Sequence, residues 1–220
     1  MIITIDGPAG SGKSTAAREL AKAMGIAYLD TGATYRAVTL KAIQEGVDLE
    51  DESALAAIAR NAEIALSPSA QQTRVVLDGV DVTAEIRSPA VSDQSHYIAR
   101  SPAVRDILVA LQRRLGRALG SFVAEGRDQG TVVFPDADVK FYLDAAPGIR
   151  AQRRQEELNQ HGETAEYSQT LEAITTRDRR DTRRAAAPLR IPDGAIVVDT
   201  SGNTIEQTRD QLLRHLEGRA

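Results

Sequence analysis

The 220 residues contain no cysteine and no tryptophan. Without cysteine there is no disulfide, no thiolate nucleophile and no thiolate-held metal. The three histidines, His96, His161 and His215, stand apart from one another, and none has a second ligand at metal spacing. No apolar run approaches the length needed to span a membrane, and no internal repeat or low-complexity tract is present. A basic excess is missing too: the formal net charge is −4, which argues against a nucleic-acid polymer as the main partner. Among 27 basic residues only four are lysines. Coding bias gives such a skew, but so does a need for guanidinium forks that hold phosphates bidentately, and only position separates the two. Met1 leads directly into a strand-like run, leaving no room for a signal peptide, and the cytoplasm is the expected compartment.

What is present is an ordinary globular balance, 42% hydrophobic and 26% charged. The length suits one domain, 1–220, with room for an insertion. The chain is organised around Ile2-Ile3-Thr4-Ile5-Asp6-Gly7-Pro8-Ala9-Gly10-Ser11-Gly12-Lys13-Ser14-Thr15. A β-branched run with the composition of a buried strand meets a Gly-rich turn. Lys13–Met24 follows with Ala17, Leu20, Ala21 and Met24 at helical spacing. Gly7, Gly12, Lys13 and Ser14 satisfy the phosphate-loop pattern G-x-x-x-x-G-K-[ST] in its strand–loop–helix context. Residues 7–15, from Gly7, Pro8, Ala9, Gly10 and Ser11 through Gly12, Lys13, Ser14 and Thr15, are therefore expected to wrap ATP. Backbone N–H groups and the helix N-terminus face the phosphates. Lys13 reaches the β- and γ-phosphates, and the Ser14 hydroxyl is the expected Mg²⁺ ligand.

The rest alternates strand and helix. Strands are expected at Ile26–Asp30, Phe122–Ala124, Val139–Leu143 and Ala195–Asp199, with helices after each. Residues 62–86 break the alternation with three strand-like runs and an Asp78-Gly79 hairpin signal, and read as a small β-rich insertion. Arg87–Arg100 reads as an irregular helix. Ser101-Pro102 opens the clearest amphipathic stripe, through Val104, Ile107, Leu108, Leu111 and Leu115. Gly148–Gln160 reads as a helix carrying Arg150, Arg153 and Arg154, His161–Tyr167 as a polar tip, and Leu171–Arg184 as a densely charged helix. Five buried strands alternating with helices mean an α/β fold: a parallel sheet with helices on both faces.

Several function classes fall away. Asn61, Asn159 and Asn203 are the only asparagines and none precedes a lysine, so the N-K-x-D reader of a guanine-binding switch is missing. A transport or motor ATPase is normally larger and ends its acidic strand without the mixed signs of Glu125-Gly126-Arg127-Asp128. Arginines beside acids at a buried strand's end suit a second phosphate-bearing substrate. Arg36, in a first helical turn where the dipole gives a cation no support, points the same way. Taken alone, the Arg177–Arg184 run reads as a solvated helix face with i,i+4 pairs. Another small-molecule P-loop kinase and a non-enzymatic nucleotide sensor remain open on these residues.

Four stretches resemble bacterial cytidylate kinases, members of the P-loop nucleoside monophosphate kinases: Ile5–Thr15, Leu29-Asp30-Thr31-Gly32-Ala33-Thr34-Tyr35-Arg36, Glu125-Gly126-Arg127-Asp128-Gln129-Gly130-Thr131 running to Ala137, and Arg177-Asp178-Arg179-Arg180-Asp181 running to Leu189. The likeness covers essentially the whole chain. Gln129 departs from it, standing where the family usually carries an aliphatic residue, and Thr31 stands where many members have Ser. The resemblance implies transfer of the ATP γ-phosphoryl group to CMP or dCMP with Mg²⁺; separately, a monomer is expected. It implies a monophosphate-binding part over 31–100 and a mobile helical lid over 150–167. By position, Arg36 and Arg127 would hold the CMP phosphate, and Ser95, Arg105 and Asp128 would read the base. Arg177 and Asp181 would reach the sugar, Arg184 would join the same polar cluster, and Thr31 would line the pocket. Lys13, Arg127 and Asp128 are the expected catalytic residues. Arg150, Arg153 and Arg154 are the expected lid cations, at least one of which reaches the transferring phosphoryl group.

Overall fold

In a computed structural model describing residues 1–67, 73–160 and 164–218, β1 (Ile2–Asp6) is the middle strand of a five-stranded sheet. The other four are β2 (Ala27–Asp30), β6 (Phe122–Glu125), β7 (Val139–Asp144) and β8 (Ile196–Asp199), in the order β2-β6-β1-β7-β8. Every pairing is parallel, with Ile3 opposite both Val123 and Val139. Ile3, Ile5, Phe122, Val123, Phe141 and Leu143 are all fully buried, which is why these runs carry apolar residues on both faces rather than alternating.

One face is covered by α1 (Lys13–Met24) and α8 (Ile205–Leu216), whose Leu20 and Leu212 join Ile5 and Phe141 in one core. The other is covered by α2 (Gly32–Gln44) and α5 (Pro102–Leu119). A third cluster joins α3 (Glu52–Asn61) to α5 through Leu55, Ile58, Val104 and Leu108. Gly25 caps α1 in the left-handed conformation.

A separate antiparallel sheet holds β3 (Ile64–Ser67), β4 (Arg74–Leu77) and β5 (Val80–Asp81). Asp78 and Gly79, with φ of 49° and 82°, form the tight turn between β4 and β5 that their dipeptide predicts. The part of the insertion at 68–72 lies outside the described residues. The irregular helix expected over Arg87–Arg100 is two elements. A 3₁₀ turn, Glu85–Arg87, ends at Ser88, which caps α4 (Pro89–Arg100) with Pro89 at its first position. Ser88-Pro89 is the same signal as Ser101-Pro102. Beyond β7, α6 (Pro147–Gln160) and α7 (Tyr167–Arg183) pack on one another. The expected polar tip over His161–Tyr167 falls partly on 161–163, outside the described residues, and its last residue already begins α7. Among the described residues no helix is long and apolar enough to cross a membrane.

Candidate active site

The P-loop leaves β1 at Asp6. Gly7 is obligatory: a Cβ there would lie 2.0 Å from the Leu143 carbonyl oxygen, at φ +149°. Gly12, at φ 83°, hands the chain into α1 with no side-chain cap, so the first N–H groups of that helix are available to an anion. The loop closes on itself. The Lys13 ammonium donates to the Pro8 carbonyl at 2.6 Å and the Ser11 hydroxyl donates to the same oxygen at 3.0 Å. Burial, and then the Arg127 guanidinium, pull Lys13 down to about 7. A cation so destabilised is poised for a polyanion.

Ser14 points out of the loop, and its hydroxyl donates to Glu125 Oε1 at 2.9 Å, at the C-terminal end of β6. Tyr28 donates to the same oxygen at 3.2 Å. A hydroxyl beside a carboxylate at a phosphate loop is a hard-oxygen donor set that suits Mg²⁺, an ion that takes few protein ligands and completes its shell with phosphates and water. Glu125 carries no local signal for this position, because β1 and β6 have to be neighbours before it meets Ser14.

Across the sheet end from the P-loop lies a second polar cluster. Asp128 forms an ion pair with Arg105 of α5, and the two side chains are only 5% and 4% exposed. The Arg105 guanidinium lies over the Tyr35 ring, 5.6 Å from its centre, and the buried Tyr35 hydroxyl has no partner among the described residues. Burial, then the Asp128 charge, push that phenol above its usual range. Arg184 donates to Ala187 O at 2.5 Å, and its buried Nη2 has no partner among the described residues. Burial and then Arg105 lower Arg184. Buried donors and hydroxyls left open around one ion pair are what a pocket that reads a polar ring requires. Arg127 donates to Asp181 Oδ2 at 3.0 Å. Against the cost of its burial, Arg127 and Arg177 hold Asp181 below the usual carboxylate range. Burial and then Arg127 pull Arg177 down to about 10. Arg36, the fifth residue of α2 and so just past the first turn expected for it, donates to Asp30 Oδ2 at 2.7 Å, and the Thr31 hydroxyl donates to Glu125 O at 2.7 Å.

Asp6 holds the two halves together. Its carboxylate, fully buried, accepts from the backbone N–H groups of Gln129 and Gly130, both at 2.8 Å. These open a single π turn, Gln129–Val133, directly after Arg127 and Asp128. Burial raises Asp6 to about 6 against those two bonds. The Gln129 side chain folds back over Gly126, where a Cβ would lie 2.7 Å from Gln129 Nε2 and 2.9 Å from Thr31 Oγ1, and its buried Oε1 has no partner among the described residues.

The predicted residues are not all engaged alike. Ser95 donates to Ser92 O within α4, at 2.8 Å, and makes no bond to the Arg105–Asp128 pair. Arg150 is built into the scaffold: it is buried and donates to Ala145 O at 2.8 Å and Ala9 O at 3.1 Å, with Asp178 Oδ2 at 2.7 Å. Arg153 donates to Thr200 O at 2.5 Å, and the Thr200 hydroxyl donates to Ser11 O of the P-loop at 3.0 Å. Arg154 is exposed, 3.2 Å from Glu157. A cavity of about 260 Å³ opens beside the loop between Gly10, Gly12, Thr15, Arg153, Asn203 and Thr208. Part of the 150–167 segment, residues 161–163, lies outside the described residues.

A parallel sheet with helices on both faces, a phosphate loop leaving its central strand and a second cation-rich pocket at the same strand ends together define a P-loop kinase fold. A solved shikimate kinase from Bacteroides thetaiotaomicron shares that fold, with a TM-score of 0.50, 11% identity, and coverage of 99% of this chain and 97% of that one. Sequence places the chain more narrowly. The family model described as Cytidylate kinase matches residues 3–218, and the chain belongs to that family. A cytidylate kinase of Pelotomaculum thermopropionicum is 52% identical over 206 residues, covering 93% of this chain and 91% of that protein. One of Corynebacterium efficiens is 43% identical over 220 residues, covering 100% and 96%.

Proposed function

We propose that the protein transfers the γ-phosphoryl group of ATP to the phosphate of CMP or dCMP, giving ADP and CDP or dCDP. The observation that carries this reading is the buried Arg105–Asp128 pair, set across the sheet end from a complete phosphate loop. Cytosine offers an N4 amino donor and an unprotonated N3 acceptor. A carboxylate that accepts from N4 and a guanidinium that donates to the ring's acceptors fit that edge. Uracil would set a carbonyl against the carboxylate and an N–H against the cation.

The acceptor is already an anion, so the chain needs no strong base. It has to align two anions and neutralise their charge. Arg36 and Arg127 orient the acceptor phosphate, Arg177 and Asp181 hold the sugar, and Arg184, Ser95 and Thr31 complete the monophosphate pocket. The P-loop N–H groups and Lys13 hold the donor phosphates, and the arriving polyanion favours the charged form of Lys13. Mg²⁺, held by Ser14 and Glu125 together with the phosphates, would supply further neutralisation of the transferred group. The cavity against Arg153 and Asn203 suits the adenosine end of ATP. Residues 150–167 serve as the lid that excludes water from the transfer. A monomer and a cytoplasmic location are part of the proposal. An ADP-release assay across CMP, dCMP, UMP, AMP, GMP and shikimate tests the reading: far greater turnover with the two cytidine nucleotides than with the rest is expected, and equal or greater turnover with any other acceptor overturns it.

A further inference from the structure

We propose that Arg87, which ends the 3₁₀ turn leaving the β-rich insertion, binds the acceptor phosphate together with Arg36. The proposal rests on the monophosphate-kinase reading above and adds a residue to it.

Arg87 and Arg36 come from different elements and converge on one atom. Arg36 Nη2 lies 2.7 Å and Arg87 Nη2 3.4 Å from the same carboxylate oxygen, Asp30 Oδ2. The Asp30 side chain is 7% exposed, Arg36 23% and Arg87 36%, so the acid forms the floor and the two guanidiniums rise from it toward solvent. Asp30 is already well served without Arg87: its other oxygen accepts from the Ala33 N–H at 3.0 Å. A second guanidinium on the same oxygen adds little attraction and places two like charges side by side. That arrangement is unfavourable alone and favourable around a dianion, which two forks can grip at once. Arg87 is held from behind, its Nη1 donating to Thr83 O at 2.6 Å, so its direction is fixed by the end of the insertion rather than by Asp30.

The surrounding field agrees. The charge of Arg36 is felt at Arg177, which in turn is lowered by burial and by Arg127. Arg87 adds a second guanidinium beside Arg36 at Asp30. The acceptor phosphate carries close to two negative charges at neutral pH, and Asp30 cancels only one of the two guanidinium charges beside it.

The test measures binding of CMP and of cytidine, which lacks the phosphate, to the wild type, Arg87→Met and Arg87→Lys by calorimetry. The proposal expects CMP affinity to fall about tenfold or more in Arg87→Met with cytidine affinity unchanged, since a charge-assisted bond to phosphate is lost. Arg87→Lys should recover part of the loss, as a point charge without the fork. Equal weakening of both ligands, or no change in either, overturns the proposal and leaves Arg87 a structural ion pair. Should Arg87→Met fail to fold, the lysine variant decides: CMP affinity equal to wild type contradicts a forked contact. A wild type that binds CMP no better than cytidine strikes at the kinase reading itself.

Discussion

Replacing Asp128 by Asn tests both the stability and the selectivity that the Arg105–Asp128 pair creates. Both side chains are almost fully buried, at 4% and 5% exposure, so neither charge has water to fall back on. Breaking a buried pair by deleting one partner costs about 3–5 kcal/mol. An asparagine oxygen still accepts one bond from Arg105, so that figure is an upper bound, and about 2–3 kcal/mol is expected. For a chain of this size the melting temperature should drop by roughly 4–12 °C. The same change should alter base choice. In the wild type, uracil reverses two buried contacts, each worth roughly 1–3 kcal/mol, so CMP should exceed UMP by more than about a hundredfold in kcat/KM. With asparagine, the amide can turn its NH₂ toward uracil O4, and the ratio should shrink at least about tenfold while CMP turnover also falls. Melting curves and paired kcat/KM values on the two substrates read both effects. Proportionate loss on CMP and UMP would refute the assignment, and Asp128 would then serve only the fold or the phosphates.

Three other outcomes are expected. Lys13→Ala should leave a folded protein and lower turnover by about 10²–10³ or more, as for loss of a transition-state charge partner; near-normal rates contradict the P-loop role. Burial holds the Asp6 carboxyl at about 6 against 3.8, so the native state keeps a proton that the unfolded chain has released. Stability should therefore fall as pH rises through that window, by about 3 kcal/mol in all; Asp6→Asn does not titrate, so its melting temperature relative to wild type should become more favourable from pH 4.5 to 7.5, and a constant difference contradicts the reasoning. Hydrogen exchange over 150–160 and 164–167 should slow when both nucleotides are bound, and protection elsewhere with none in this segment counts against a lid.

The core strands were legible because short β-branched runs bounded by glycine fit a buried parallel strand and little else. The Asp78-Gly79 turn and the Gly25 cap were legible for the same local reason, a backbone shape that few residues accept. Lys13 and Ser14 could be placed from spacing alone. Arg36, Arg105, Asp128 and Asp181 could be assigned roles only through resemblance, since a lone arginine on a helix has many uses. What escaped depends on strand order. Glu125 meets Ser14, and Asp6 meets the Gln129 and Gly130 amides, only once the chain has crossed and recrossed the sheet, and Asp30 gathers Arg87 beside Arg36 only once the β-rich insertion returns to the end of β2. The π turn over Gln129–Val133 has no local signature because its anchor, Asp6, lies 123 residues upstream of Gln129. The first turn of α7, from Tyr167, is polar and carries no apolar stripe, so the helical pattern becomes visible only from Leu171.

The most direct measurement supplies γ-labelled ATP to the enzyme with CMP and UMP present together in equal amounts and follows the label. The labelled products then report the ratio of the two kcat/KM values within one reaction. The account predicts label in CDP over UDP by more than about a hundred to one, whereas near-equal labelling, or label appearing only in inorganic phosphate, would contradict it.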